Sequence, residues 1–131
     1  MSQVPRVDKR RYLRYEILDY VLIREAEQGP RPQTLKEDKE PIKAVVVDIG
    51  LGGLQVRTRE KLREGQSYWV EVGRPGLEPL ILRCEVRHVG KVPDSDLFST
   101  GMGFIPENHV DRMAIATYVH QVFQRQCDLL A

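Results

Sequence analysis

Apolar and polar residues alternate in short stretches along most of this chain. In the stretch 80–89, LILRCEVRHV, apolar residues occupy every second position as far as Val86, and most positions between them are charged. A period of two is typical of a strand with one face against a core. Similar stretches, separated by residues that favour turns, predict six strands at 15–24, 42–48, 53–58, 67–72, 80–89 and 100–105.

The period changes near the C-terminus, where one amphipathic helix is predicted over 108–127. Asn108 is a suitable N-cap because its side-chain oxygen can accept a hydrogen bond from an unpaired backbone N–H, and Asp111 lies where the helix dipole favours an acidic residue. The apolar stripe expected to face the core comprises Ile115, Tyr118, Val119, Val122 and Phe123. Six short strands followed by one helix predict an all-β fold, a six-stranded antiparallel β-barrel closed by the helix.

The remaining segments are expected to lack regular structure, within one domain that covers 1–131. Residues 1–14 are short, polar and interrupted by Pro5, so they predict a flexible leader. Residues 25–41 contain Gly29, three prolines and the charged run 36–40, and they predict a long mobile surface loop.

Charge is concentrated in the leader. The whole chain has a net charge of +1, but residues 1–14 hold five Arg or Lys residues against one Asp. From totals of 20 basic and 19 acidic residues, 15 basic and 18 acidic residues remain for the rest of the chain. The near-neutral total argues against a protein that coats nucleic acid, whereas a basic leader on a mildly acidic body favours a local anion site.

The cysteines and the N-terminal residues favour a cytoplasmic protein. Cys84 and Cys127 are far apart and lack metal-ligand spacing, so both are expected to be reduced thiols. The first residues contain no apolar core of a signal peptide, and no stretch reaches the apolar length of a membrane span. We therefore expect no membrane insertion.

Catalytic chemistry has no support in the sequence, so we expect neither enzyme activity nor a metal centre. There is no nucleophile elbow, P-loop or HExxH motif. His109 and His120 lie eleven residues apart on the predicted helix, about three turns, and cannot share a metal ion.

The leader has the first of two features that suit a ligand with phosphates and a purine edge. In KRRYLR (9–14), Arg10, Arg11 and Arg14 supply guanidinium groups, which grip phosphate in bidentate fashion and stack on flat rings. A flexible segment of this kind can wrap a ligand and become ordered on binding. A solvated basic tail is the simpler interpretation of this stretch taken alone.

The second feature is the glycine turn DIGLGG (48–53), between the second and third predicted strands. Its glycines allow close approach of the backbone, and the Asp48 carboxylate can accept hydrogen bonds from the N1–H and N2–H₂ groups of guanine. Taken alone, the turn is also explained as a tight hairpin with aspartate as a turn former. Trp69 and Arg87 fall on outward faces, where each would either border a ligand or be an ordinary surface side chain.

Together, the two motifs resemble the signature of PilZ domains. That signature is R-x-x-x-R just before the first strand and D/N-x-S-x-x-G between the second and third strands. Here it reads Arg10-x-x-x-Arg14 and Asp48-x-Gly50-x-x-Gly53, and the likeness extends over roughly 9–126.

The resemblance implies a bacterial barrel that binds bis-(3′-5′)-cyclic dimeric GMP (cyclic di-GMP), a second messenger. In that case Arg10 and Arg14 would contact phosphates and guanine, and Arg11 would add a phosphate contact. Asp48 would read a guanine edge, and Gly53 would permit the turn.

The chain departs from the family pattern at Gly50, which stands in the place of the family's serine. The missing hydroxyl removes one hydrogen bond to the ligand, a loss that weakens binding about threefold to tenfold. Gly50 is therefore included among the expected ligand-binding residues with a reduced contribution.

Three functional hypotheses follow from the sequence. The first is a cyclic di-GMP receptor that changes conformation on binding and signals through an unidentified protein partner. The second is a degenerate PilZ-like adaptor, in motility or pilus assembly, that binds protein without nucleotide and uses the loop 25–41 as its contact surface. The third is a small RNA-binding barrel, which the near-neutral charge disfavours. Binding of one dinucleotide and binding of an intercalated pair both stay open.

Overall fold

The computed structural model describes residues 14–26, 29–36, 40–74 and 77–130, with residues 14–18 described by their backbone alone. The elements in chain order are β1 Arg14–Glu25, β2 Ile42–Gly50, β3 Gly53–Thr58, β4 Ser67–Val72, β5 Leu80–Lys91, β6 Phe98–Phe104 and α1 His109–Leu130. All six predicted strands are present.

The six strands form one closed barrel in the order β1-β2-β3-β6-β5-β4, and β1 pairs with β4 to close it. Every strand pair is antiparallel. The predicted six-stranded antiparallel barrel with one C-terminal helix is therefore confirmed. The closing contact joins Leu22–Glu25 of β1 to Tyr68–Glu71 of β4, so ladder hydrogen bonds connect the first and last strands of the sheet there.

The barrel interior is filled by the alternate apolar residues that the sequence pattern indicates. Leu82, Cys84 and Val86 of β5 are buried, as are Tyr68 and Val70 of β4. They form one cluster with residues from the other strands and from α1. The period of two therefore defines the core, because successive side chains of a strand point to opposite faces.

Helix α1 begins at the predicted N-cap. The Asn108 Oδ1 atom accepts a hydrogen bond from the Asp111 backbone N–H at 2.9 Å. The helix buries Asp111, Ile115, Tyr118, Val119 and Val122. The prediction that Phe123 belongs to this stripe is wrong, because its side chain is 40% exposed on the neighbouring face of the helix. The helix also continues to Leu130, three residues beyond the predicted end.

Part of the predicted mobile loop is fixed against the barrel. We call residues 31–35 the strap. Leu35 is fully buried in a second apolar cluster on the outer side of the barrel, together with Leu22, Trp69 and Ile81. These three strand residues point outward by alternation, so the strap shields apolar surface that water would otherwise contact. The expectation of a mobile surface segment does not hold for the strap.

Polar contacts hold the strap at both ends. The buried carboxylate of Glu71 accepts hydrogen bonds from the Leu35 backbone N–H and the Thr34 hydroxyl, both at 2.9 Å. Arg31 donates to both carboxylate oxygens of Asp111 at 2.7 Å and to Glu107 at 3.2 Å. Its guanidinium also lies 5.9 Å from the centre of the Trp69 ring, within the range of a cation–π contact. The strap therefore connects the start of α1 to the wall of the barrel.

Candidate ligand-binding site

Asp48 reaches the outer surface of the barrel because β2 contains a bulge. Ala44 and Val46 are buried, and strict alternation would turn Asp48 into the core as well. The register between β2 and β3 shifts between Val46 and Asp48, and the one between β1 and β2 shifts between Glu16 and Asp19. The extra residue returns Ile49 to the core and leaves Asp48 partly exposed.

The end of the arginine leader meets the glycine turn. The Cα of Arg14, the first residue of β1, is paired with Gly50, and Glu16 is paired with Asp48. The two motifs, about 35 residues apart in the sequence, therefore adjoin at one end of the barrel. Arg10 and Arg11 lie outside the described residues.

Gly53 is required by the packing of strands at this end. A Cβ atom on Gly53 would overlap the backbone carbonyl oxygen of Met102 and would lie 3.0 Å from the Cα of Gly103 on β6. The neighbouring Gly52 carbonyl accepts a hydrogen bond from the Phe104 backbone N–H at 3.0 Å. The close approach of the turn to β6 therefore depends on the absence of a side chain.

Two side chains of β5 lie across the glycines of β6 beside the turn. The register shifts between Val86 and His88, so Arg87 and His88 are both exposed on the outer surface. The Nε atom of Arg87 lies 2.6 Å from the position a Cβ on Gly103 would take, and the His88 ring occupies the corresponding space above Gly101. Arg87 also forms an ion pair with Glu85 at 3.2 Å. Since Gly103 is paired with Gly53, Arg87 borders the turn.

Gln55 is a neighbour of the motif that the sequence analysis did not single out. It is paired with Asp48 across β2 and β3, it is partly exposed, and its side-chain amide donates to the Ser99 hydroxyl. A polar residue alternating with buried Leu54 and Val56 was the available signal. The alternation indicates that Gln55 points outward, but it does not tell which residue of a neighbouring strand Gln55 is paired with.

Trp69 lies away from the turn and does not border it. Its ring is buried in the cluster beneath the strap. A cleft of about 720 Å³ next to it is lined by Arg24, Glu60, Lys61 and other residues at the end of the barrel opposite the glycine turn. Of the described motif residues, Asp48, Gly50 and Gly53 do not line this cleft.

The part of the chain that the structure describes contains neither a metal-binding cluster nor a membrane-spanning helix. Among those residues, no group of three or more His, Cys, Asp or Glu side chains is arranged to hold a metal ion. Within the same residues, no helix combines the length and the apolar character needed to span a membrane.

The fold and the site together define a small closed β-barrel module with a terminal helix, whose aspartate–glycine turn lies at the mouth of the barrel beside the first strand. The chain belongs to the PilZ domain family, whose family model matches residues 8–121. No curated protein matches the sequence.

Solved structures share this fold at low sequence identity. The PilZ domain of Escherichia coli YcgR with cyclic di-GMP matches with a TM-score of 0.69 and 14% identity, over 94% of this chain and 98% of that one. The Bacillus subtilis inhibitor of motility, MotI, matches with a TM-score of 0.66 and 18% identity, over 95% of this chain and 57% of MotI. The complex of MrkH from K. pneumonia with cyclic di-GMP matches with a TM-score of 0.67 and 13% identity, over 92% of this chain and 54% of MrkH. The chain thus spans a little more than half of MotI and of MrkH.

Proposed function

We propose that this chain is a receptor for cyclic di-GMP that acts through a protein partner rather than through chemistry of its own. The observation that carries the proposal is the pairing of Arg14 with Gly50, which joins the arginine leader to the glycine turn at one end of the barrel. Membership of the PilZ family supports it, as do the YcgR and MrkH structures, whose ligand is cyclic di-GMP.

Each residue of the two motifs has a distinct role in this proposal. Arg10, Arg11 and Arg14 bind the phosphates and stack on guanine, because guanidinium groups combine charge with a flat surface. Asp48 accepts hydrogen bonds from a guanine edge, which carries two donors in the right arrangement. Gly53 keeps the turn against β6 so that the base can approach the backbone.

Arg87 is a further candidate for contact with the dinucleotide. Its guanidinium lies over Gly103, one strand away from Gly53, and more than half of its side-chain surface is exposed. Moving from its ion pair with Glu85 to a phosphate would cost little, since exposed ion pairs contribute at most about 1 kcal/mol.

Binding would change the surface that the protein presents. A leader that wraps the dinucleotide loses conformational entropy, and the contacts with its arginines offset that loss. The ordered leader and the bound nucleotide then form a composite surface at the mouth of the barrel. A protein partner that recognises this surface would respond to the concentration of the second messenger, and MotI, named as an inhibitor of motility, makes motility a candidate process.

Calorimetric titration with cyclic di-GMP tests the proposal. We expect saturable binding to the wild-type protein and at least a tenfold loss of affinity in Arg14→Ala, because a charge-assisted contact contributes about 1.5–3 kcal/mol. Arg63→Ala is the matched control, since Arg63 is an exposed arginine at the opposite end of the barrel. Equal affinity in all three proteins would contradict the proposed site.

An adaptor that binds protein without nucleotide is the second candidate, and Gly50 favours it because the family's serine is missing. The variant Gly50→Ser separates the two functions. A receptor weakened by one hydrogen bond should gain about threefold to tenfold in affinity. If neither the wild type nor Gly50→Ser produces heat while both remain folded, the adaptor is the better description. The strap offers such an adaptor little contact surface. Leu35 is buried against the barrel, and the Arg31 guanidinium is hydrogen-bonded to Asp111 of α1.

A further inference from the structure

The outer face of β1, β2 and β3 contains two adjoining grooves. Their volumes are about 500 and 410 Å³, and Pro41 and Lys43 line both of them. Across this face, Tyr20 of β1 is paired with Val45 of β2, and Val45 is paired with Arg57 of β3. We call the two grooves together the basic groove. It is a surface separate from the core and from the strap.

Apolar side chains form the floor of the basic groove. Alternation along β2 buries Ala44 and Val46 and turns Val45 outward, where 43% of its surface is exposed. Val45 and Val47 line the larger groove, and Tyr20, which is 65% exposed, lines the smaller one. Apolar groups that lie together in a concave surface gain free energy when another molecule covers them.

Four cationic side chains surround this floor: Lys36, Lys43, Arg57 and Arg59. Among the described residues that line the basic groove, only Glu60 is acidic. Within the described part of the chain, none of the four side chains forms an ion pair or a hydrogen bond. The chain outside residues 1–14 has 15 basic and 18 acidic residues, so this excess of positive charge is local. Unpaired like charges repel one another, and an acidic partner would relieve that repulsion.

An apolar centre with a charged rim is the usual arrangement of a protein interface. We propose that the basic groove binds an acidic segment of a partner protein that also carries apolar side chains. The apolar side chains of the segment contact Val45 and Val47, while its carboxylates pair with Lys43 and Arg57. Since Val47 directly precedes Asp48, the bound segment lies beside the glycine turn. The proposal rests on the proposed function only in that the chain acts through a partner, and it does not require bound nucleotide.

The lining and shape of the basic groove favour a protein over the two other common anionic macromolecules. A nucleic acid backbone has no apolar groups to cover Val45 and Val47, and binding of unpaired bases relies on several aromatic rings. The described residues that line the groove include one such ring, that of Tyr20. A lipid surface takes up apolar side chains that protrude, whereas these two valines lie on the floor of a groove.

Selection from a phage-displayed library of random peptides tests the chemistry of the partner without assuming its sequence. Peptides of about twelve residues are long enough to cross β1, β2 and β3 when extended. The library is depleted on immobilised Arg57→Glu and then selected on the wild-type protein, so that peptides which depend on the groove remain. We expect these peptides to be rich in Asp and Glu together with apolar residues. Basic or uncharged peptides, or none at all, would overturn the proposal. The selection contains no nucleotide, so its result is independent of cyclic di-GMP binding, which calorimetry tests separately.

The affinity of a selected peptide for variants of the protein locates the contact. Arg57→Glu and Lys43→Glu should each weaken binding about tenfold, because an attraction is replaced by a repulsion. Val45→Thr keeps the shape of the side chain but removes an apolar methyl group, and it should weaken binding about threefold. Arg112→Glu is the matched control, since Arg112 is an exposed arginine on α1 that does not line the groove. Circular dichroism checks that each variant is folded. Equal affinity in Arg57→Glu and Arg112→Glu would contradict the proposed surface.

An oligothymidine and vesicles that contain phosphatidylserine are the competing ligands. Both are measured on the wild type and on Arg57→Glu at the ionic strength used for the peptide, because binding through exposed charges depends on salt. We expect both to bind more weakly than the selected peptide. Tighter binding of either one, lost in Arg57→Glu, would assign the basic groove to nucleic acid or lipid and overturn the assignment to a protein.

Discussion

At the scale of single residues, the glycine turn depends on one bulge and one missing side chain. The extra residue between Val46 and Asp48 places the Asp48 carboxylate outside the core, where it can meet a ligand. Gly53 allows the turn to approach Met102 on β6. Strand packing therefore requires glycine at position 53, whether or not a ligand is bound.

This reason predicts the effect of Gly53→Ala on stability. The added methyl group overlaps the Met102 carbonyl oxygen, so the β3–β6 pair must separate, which costs about 1–3 kcal/mol of the free energy of unfolding. Chemical denaturation without nucleotide measures the change. Gly90→Ala is the control, because a Cβ at Gly90 meets nothing within 4 Å. If the two variants are equally stable, the turn does not need a glycine for packing.

At the scale of elements, the strap joins the barrel to α1 through Arg31 and Asp111. The two hydrogen bonds from the Arg31 guanidinium lower the pKa of the Asp111 carboxyl below its ordinary value, and Asp111 raises the pKa of Arg31 in turn. Arg31 keeps its charge at every accessible pH, so the carboxyl is the group that titrates. Its folded pKa is depressed, so its contribution to stability is present above the ordinary value of 3.8 and is lost as the pH falls through the lower folded pKa.

Asp111→Asn should therefore destabilise the protein at neutral pH, by about 2 kcal/mol for the loss of charge-assisted hydrogen bonds. The difference from the wild type should shrink as the pH is lowered below the pKa of Asp111. Denaturation curves at neutral and acidic pH give both values. Asp128→Asn removes an exposed carboxyl from the same helix and should change stability by less than about 0.5 kcal/mol. A pH-independent difference for Asp111→Asn would contradict the role of its charge.

At the scale of the whole molecule, the closed barrel and α1 enclose one core that includes the Cys84 thiol. Cys84 is fully buried, and burial raises its pKa because the core disfavours a thiolate. A thiol in this environment is inert until the barrel opens. Its reactivity is consequently a measure of opening of the entire core.

We expect alkylation of Cys84 to be slow in the native protein and to follow the free energy of unfolding as denaturant is added. Exposed Cys127 provides the internal control, since α1 presents it to solvent in the folded monomer. Peptide mapping by mass spectrometry after brief alkylation separates the two sites. Rapid native modification of Cys84 would show that the barrel opens locally near β5.

The sequence by itself determined the strand order along the chain, the N-cap and the core face of β5. These features are local, because alternation, capping and turn residues act over a few neighbouring positions. It also supplied both halves of the candidate site through the spacing of Arg10, Arg14, Asp48 and Gly53.

The tertiary structure alone decided the features that depend on contacts between distant residues. The bulge beside Asp48 and the exposure of Phe123 contradict the simplest periodic interpretation, and the burial of Leu35 against the barrel wall contradicts the predicted mobile loop. In each case a side chain's environment is set by an element remote in sequence. Periodicity tells which residues share a face, but only the packing of the barrel tells what covers that face.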